Sequence, residues 1–203
     1  MAERPVAALI LAGGASARMG RPKALLEHQG RTFIEGEVAT LCAAGCSRVL
    51  AVDGAHRLDP ELPGLAGVEL VHNLRWPLGP LASVQVGLRR ALALEPALAG
   101  LLVHPVERPR VRVETIAALL AAFEREPPRL WQPSFGGRSG HPMLWPRALF
   151  EALLALDPAQ HSARTLVRGA AAGLRRKLEL DDPGVLDNID TPADLARLAA
   201  GRG

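Results

Sequence analysis

Short runs that are apolar at every position recur along this chain. Val6-Ala-Ala-Leu-Ile-Leu11 is the clearest, and it stops at Gly13-Gly14. A run without polar alternation predicts a strand covered on both faces, as in a parallel sheet. Residues 48–52, 68–72, 100–104 and 130–134 predict further short strands, and 174–180 a last one. Helical spacing falls between them, over 33–44, 81–94, 113–126, 146–156 and 165–172. Pro127-Pro128 stops the third of these helices, and the glycine-rich stretch 136–140 is expected to be a loop. Thr191 and Pro192 suit the N-cap and first position of a final helix running to Ala200.

Strand and helix alternate from end to end. That order predicts one α/β domain over residues 1–203, a three-layer α/β/α stack on a mostly parallel Rossmann-like sheet. Ligands of such sheets bind at the carboxyl ends of the strands. Composition agrees: 48% of the 203 residues are hydrophobic and 22% charged, enough for a packed core. Aromatic residues make up only 3% and tyrosine is absent, which excludes a base-stacking surface for nucleic acid. The net charge of +3 is spread over scattered arginines, which suits a small anionic substrate and not nucleic acid. The N-terminal apolar run is too short for a signal peptide, and no run reaches membrane length, so a cytoplasmic protein with no membrane partner is expected. Cys42 and Cys46, one turn apart on a predicted helix, are expected to be reduced core thiols, since two ligands alone make no zinc site.

The segment after the first strand carries the chemistry. Gly13 and Gly14 let the backbone turn sharply, so that successive N–H groups can cradle phosphate oxygens. Arg18 and Lys23 add positive charge around a second turn at Gly20. A Walker loop needs two glycines five apart followed by Lys and Ser/Thr, and a dinucleotide fingerprint needs G-x-G-x-x-G; neither is present.

Leu11-Ala-Gly-Gly-x-Ser-x-Arg-Met-Gly-x-Pro-Lys23 resembles the signature of nucleotidyltransferases with a glycosyltransferase-A-like fold. Within them it is most similar to the molybdenum cofactor cytidylyl/guanylyltransferases. The resemblance implies that Leu11, Ala12, Gly13 and Gly14 hold the NTP, with Arg18 and Lys23 on its phosphates as catalytic cations. Asn73-Leu-Arg-Trp-Pro-Leu-Gly79-Pro-Leu-Ala-Ser83 resembles the family's second NTP-binding segment, through Asn73, Gly79 and Ser83. Gly140-His141-Pro142 resembles an acceptor-side motif of the cytidylyltransferase branch. Ser162-Ala-Arg164 is similar to its later G-A-R, which brings in Arg164 as an acceptor-binding residue.

Nucleotidyl transfer by this family implies Mg²⁺, which favours hard oxygen ligands. The family places an Asp in a D-x-P turn after the fourth core strand. Here that turn is Glu107-Arg-Pro109, so Glu107 is the expected metal ligand and catalytic carboxylate, one methylene longer than usual. Leu186-Asp-Asn-Ile-Asp190-Thr-Pro192 resembles the family's D-I-D-T-P, with Asn188 at the first Asp and Asp190 as the second metal ligand. Asp194 suits capping of the last helix. The resemblance implies NMP transfer from CTP or GTP to a phosphorylated acceptor, with molybdopterin the acceptor nearest in kind. Arg21-Pro22-Lys23 and Gly140-His-Pro142 are the cytidylyl-like features, and Gly13 the guanylyl-like one. A molybdoenzyme or chaperone receiving the product is the implied protein partner. Two other readings stand beside this one: a non-catalytic nucleotide-binding protein, motivated by Glu107 and Asn188, and a sugar-phosphate nucleotidyltransferase.

Overall fold

A computed structural model describes residues 4–169 and 171–201. Strand β1 (Val6–Leu11) lies at the centre of the main sheet, buried along nearly its whole length. It pairs in parallel with β4 (Arg48–Asp53) on one side and β6 (Gly100–Pro105) on the other. Beyond β4 lies β5 (Glu69–His72), also parallel. On the far side β6 meets β9 (Met143–Pro146), which runs antiparallel to β6 and to β7 (Leu130–Phe135). Strand β10 (Arg175–Glu179) closes that edge in parallel with β7, and the short β8 (Arg138–Ser139) folds back on β7. The sheet order is therefore β10-β7-β9-β6-β1-β4-β5, with β2 (Glu27–His28) and β3 (Arg31–Thr32) as a separate hairpin.

Helices α1 (Phe33–Ala43) and α3 (Val113–Arg125) bury Phe33, Leu41, Ile116 and Phe123 against one face. Helices α2 (Pro80–Leu94) and α4 (Phe150–Ala155) bury Leu88 and Leu153 against the other, joined by Leu166 of α5 (Ala163–Arg168). Helix α6 (Pro192–Ala199) adds Leu198 to the first face. This is the expected three-layer α/β fold. Because β1 is flanked by a strand that follows it directly and one that returns much later, the chain reverses direction beside it. The loops after β1, β4 and β6 meet at that crevice, where α/β sheets place their ligands.

Four local expectations change. The glycine stretch 136–140 is not all loop: Gly136 and Gly137 take positive φ and turn the chain into β8. Residues 143–146 form a strand that the sequence pattern misses, because Met-Leu-Trp-Pro is too short to show a period. The expected helix over 146–156 begins as a tight turn at Arg147–Leu149, and α4 proper starts at Phe150. The helix expected over 165–172 is α5, two residues earlier, and Ala170 lies outside the described residues. The cysteine expectation is also corrected. Helix α1 ends at Ala43 and Gly45 turns the chain before Cys46, so the two thiols do not share a helical face, and Cys42 is exposed; both are free. No helix among the described residues is long and apolar enough to cross a membrane.

Candidate active site

The first loop leaves β1 through Ala12, whose N–H donates to Val52 O at 2.9 Å. That bond fixes where Gly13 stands. A Cβ on Gly13 would lie 3.3 Å from Asp53 O and 3.3 Å from Ser83 Oγ, a tight fit in which a larger residue would press on both. Gly14 faces open space. Ser16 then turns the chain with φ 54° and accepts from the N–H groups of Met19 and Gly20. Its Oγ accepts from Lys23 N at 3.2 Å, which ties the lysine backbone to the turn. Met19 is buried beneath and anchors the loop in the core.

The second nucleotide segment packs directly on the first. Asn73 and Ser83 are both buried, and Asn73 Nδ2 donates to Ser83 Oγ at 3.0 Å. Asn73 N–H donates to Asp53 O, and Asn73 Oδ1 accepts from Arg75 N at 2.9 Å. The polar groups expected to face a ligand are thus engaged with each other, and what they support is the wall behind Gly13. Gly79, with φ 93°, is the N-cap of α2, a conformation that favours glycine. The neighbouring Asp53 is buried; its Oδ2 accepts from Leu58 N and its Oδ1 lies 2.5 Å from His72 Nδ1. Sequence reasoning passed over this pair, although two ionisable residues ending adjacent strands are a visible signal.

Arg18, Lys23 and Asp190 come together although they are far apart in sequence. Lys23 Nζ donates to Asp190 Oδ1, and Arg18 Nη2 stands 3.0 Å from Asp190 Oδ2. Burial alone would raise the Asp190 carboxyl, but Lys23 and Arg18 outweigh it and hold the group below its ordinary value. Asn188 Nδ2 also donates to Asp190 Oδ2. Asp194 caps α6: its Oδ2 accepts from Thr191 N at 2.7 Å and Asp190 N at 3.0 Å, and so fixes the Asp190 backbone. Glu107 reaches the same edge through its backbone, with its carbonyl accepting from Ile189 N at 3.0 Å.

Among the described residues no three His, Cys, Asp or Glu side chains form a metal cage. Glu107 and Asp190 are hard oxygen donors on segments tied by the Ile189–Glu107 backbone bond, a donor chemistry that fits a divalent cation shared with phosphate oxygens and water.

Beneath the 105–109 turn lies a polar cluster that the sequence did not announce. Glu37 of α1 is buried, and neither of its oxygens finds a hydrogen-bond partner among the described residues; the Arg108 amide faces it without completing a bond. Burial, and then the charge of Glu107, push its carboxyl well above the ordinary value. His104 is 1% exposed, donates from Nδ1 to Pro105 O at 3.0 Å, and lies 3.7 Å from Glu37 Oε2. Burial lowers it to about 4. Arg108 donates to Val185 O at 2.8 Å, and its buried Nε finds no partner among the described residues. The signal that could have exposed this cluster is a histidine inside an otherwise apolar strand.

The acceptor-side residues adjoin this cluster. His141 N–H donates to the same Val185 O at 2.9 Å, and Gly140 is so close that a Cβ would meet that oxygen at 2.3 Å. Pro142 follows a cis peptide bond. Burial first, then Arg108, His104 and Arg164, lower the His141 imidazole to about 3, and its Nδ1 is buried without a partner. Gln132 and Arg175 brace the loop from behind: Gln132 Nε2 donates to Gly140 O at 2.9 Å, and Arg175 bonds Gln132 and Ser139. Arg164 is exposed on α5, in a cleft lined also by Ser162, Thr165 and Arg168.

The family model described as a MobA-like NTP transferase domain matches residues 8–178, which covers the glycine loop, Glu107 and the 140–142 loop but ends before Asp190. A probable molybdenum cofactor guanylyltransferase from Rhodopirellula baltica is 30% identical over 94% of this chain and 90% of that protein. The nicotine blue oxidoreductase of Paenarthrobacter nicotinovorans is 29% identical over 95% of this chain and 96% of its own. Among solved structures, the manganese complex of Rv0371c from Mycobacterium tuberculosis shares the fold at a TM-score of 0.73, with 21% identity over 97% of this chain and 98% of that one.

Proposed function

The chain belongs to the family of MobA-like NTP transferase domains and is a nucleotidyltransferase, and from that premise we propose that it moves an NMP from an NTP to a phosphorylated acceptor and releases pyrophosphate. The observation that carries this reading is the convergence of Lys23, Arg18 and Asp190 at the crevice beside β1. Lys23 and Arg18 meet the charge of the triphosphate. Leu11 to Gly14 bring backbone close to it, and Gly79, Asn73 and Ser83 support that backbone. Glu107 and Asp190 hold a divalent cation, Mg²⁺, which when bound offsets charge at the α-phosphate and on the departing pyrophosphate. The manganese in the Mycobacterium tuberculosis neighbour supports divalent metal use in this fold.

The acceptor's own phosphate is the nucleophile, so the protein need only position it and neutralise charge. Gly140, His141, Pro142 and Arg164 form the acceptor side. The name of the Rhodopirellula baltica relative supports molybdopterin as the acceptor class and GTP as a donor; CTP is the other donor, on the likeness of residues 21–23 and 140–142. Cytoplasmic localisation is part of the same reading.

The test is pyrophosphate release with CTP and with GTP, in the presence of Mg²⁺ and molybdopterin. Turnover with either establishes the reaction and names the donor. Lys23→Ala is expected to weaken nucleotide binding about tenfold or more, as loss of a partly buried charge-assisted contact requires. Unchanged affinity would remove Lys23 from the triphosphate site, and tight nucleotide binding with no turnover would favour a non-catalytic role.

A further inference from the structure

The proposed reaction gives Asp190 a metal partner, and gives Lys23 and Arg18 a triphosphate. In the structure these three side chains are paired with one another instead. The Lys23 and Asp190 side chains are 14% and 15% exposed, so their attraction is only partly screened by water. Arg18 is 70% exposed and adds a weaker, solvent-facing link.

Neither side of this contact is free to drift. Lys23 is tied through its backbone to Ser16 Oγ, in a turn closed by the Met19 and Gly20 N–H groups. Asp190 is tied through its own N–H to Asp194, and through Ile189 N–H to the Glu107 carbonyl. The two backbones are therefore held so that the Asp190 carboxylate stands beside both cations.

An incoming triphosphate must compete for Lys23 and Arg18 with a carboxylate whose backbone is fixed beside them. Without a counter-cation, the phosphate oxygens meet that carboxylate at close range. Asp190 would be released from this competition when it held a divalent cation, whose charge would also suit the phosphates. We propose that Asp190 is a specificity-determining residue, one that makes the site select metal-loaded triphosphate over free triphosphate by occupying Lys23 and Arg18 until a cation engages it. This rests on the reading of the glycine loop as a triphosphate site. Linkage makes the coupling reciprocal, so nucleotide raises metal affinity by the same factor.

Isothermal titration of the full chain with GTP and CTP tests it, once in EDTA and once in excess Mg²⁺. For the unaltered chain, Mg²⁺ is expected to raise nucleotide affinity about tenfold or more. Asp190→Asn keeps the shape and removes the charge. It is expected to bind metal-free nucleotide about fivefold or more tightly than the unaltered chain, and to lose most of the Mg²⁺ effect. Asp190→Ser serves if the asparagine variant melts early. Glu107→Gln is the control: it lowers the Mg²⁺ effect without strengthening metal-free binding, because Glu107 pairs with neither loop cation. Metal-free affinity that is unchanged or lower in both Asp190 variants overturns the proposal, as does an equal gain in Glu107→Gln. Absence of nucleotide binding by the unaltered chain, even with Mg²⁺, would instead refute the triphosphate reading.

Discussion

The two halves of the crevice are built on opposite plans. On the nucleotide side nearly every polar group is already engaged inside the protein: Ala12 with Val52, Asn73 with Ser83, Lys23 with Asp190. On the acceptor side, buried polar atoms are left over, among them His141 Nδ1, Arg108 Nε and both oxygens of Glu37. An unpaired buried polar atom costs about 1–3 kcal/mol, so an accumulation of them beside one crevice marks a place that stability alone does not explain. Under the proposed function the first half would meet the nucleotide with groups already fixed in place, and the second would offer its unpaired donors and acceptors to the acceptor.

Glu107 stands where the halves meet, and it gives the largest expected effect. Glu107→Gln keeps shape and removes charge. Turnover is expected to fall about 10³-fold, or about 4 kcal/mol of barrier, as loss of a metal-holding carboxylate implies. Steady-state pyrophosphate release at saturating Mg²⁺ measures it, with a thermal melt to confirm the fold. Activity within a few-fold of the unaltered chain would place the metal elsewhere and leave the two halves without their common carboxylate.

How much of this was legible beforehand follows the same division. Strand β1 declares itself because burial on both faces leaves it no polar position, and β4 and β6 because an apolar run of three or four residues forms their middle; β5, β7 and β10 carry polar residues and were legible mainly from their place between helices. Thr191-Pro192 announced α6 correctly, since an N-cap and a fixed φ act locally. The nucleotide loop was readable because its residues form one contiguous motif, and its Gly13 packs tightly, with a would-be Cβ 3.3 Å from Asp53 O and Ser83 Oγ. Strand β9 was not, because a four-residue run, Met143–Pro146, carries no period. Nor was the pairing of Lys23 with Asp190, or the cluster of Glu37, His104, Arg108 and His141. Those contacts are made by tertiary packing between segments far apart in sequence, and a single chain carries no local mark of them.

That cluster also predicts how acid affects the protein. His104 titrates near 6.5 when unfolded and near 4 when buried in the fold. Between those values the unfolded state binds the extra proton, so stability is full above about pH 6.5 and is lost as the pH falls toward 4. At about 1.4 kcal/mol per unit, the His104 share is on the order of 3 kcal/mol. His141, lowered to about 3, adds loss of the same sign, while the raised Glu37 carboxyl keeps its proton in the fold and offsets part of the loss. Urea denaturation at pH 7.5 and pH 5 measures the net effect, and His104→Leu is expected to reduce the loss of stability between the two pH values. Equal losses in the two proteins would mean that His104 is not held neutral, and would weaken the contrast between the halves.

Arg164 sets the lower bound on that contrast. It lies on the acceptor side, yet it is exposed on a six-residue helix and forms none of the ion pairs found among the described residues. An exposed guanidinium works against solvent screening, so its contact with a phosphate is expected to be worth roughly 0.5 kcal/mol, near twofold in affinity. Arg164→Ala should therefore raise KM for the acceptor by about two- to threefold and leave KM for the nucleotide and the melting temperature unchanged. A tenfold rise would mean that α5 closes over the acceptor and desolvates Arg164 during the reaction, which makes the acceptor half the one that moves. A matching rise in KM for the nucleotide would mean that Arg164 serves the triphosphate, and the boundary between the halves would then have to be redrawn through α5.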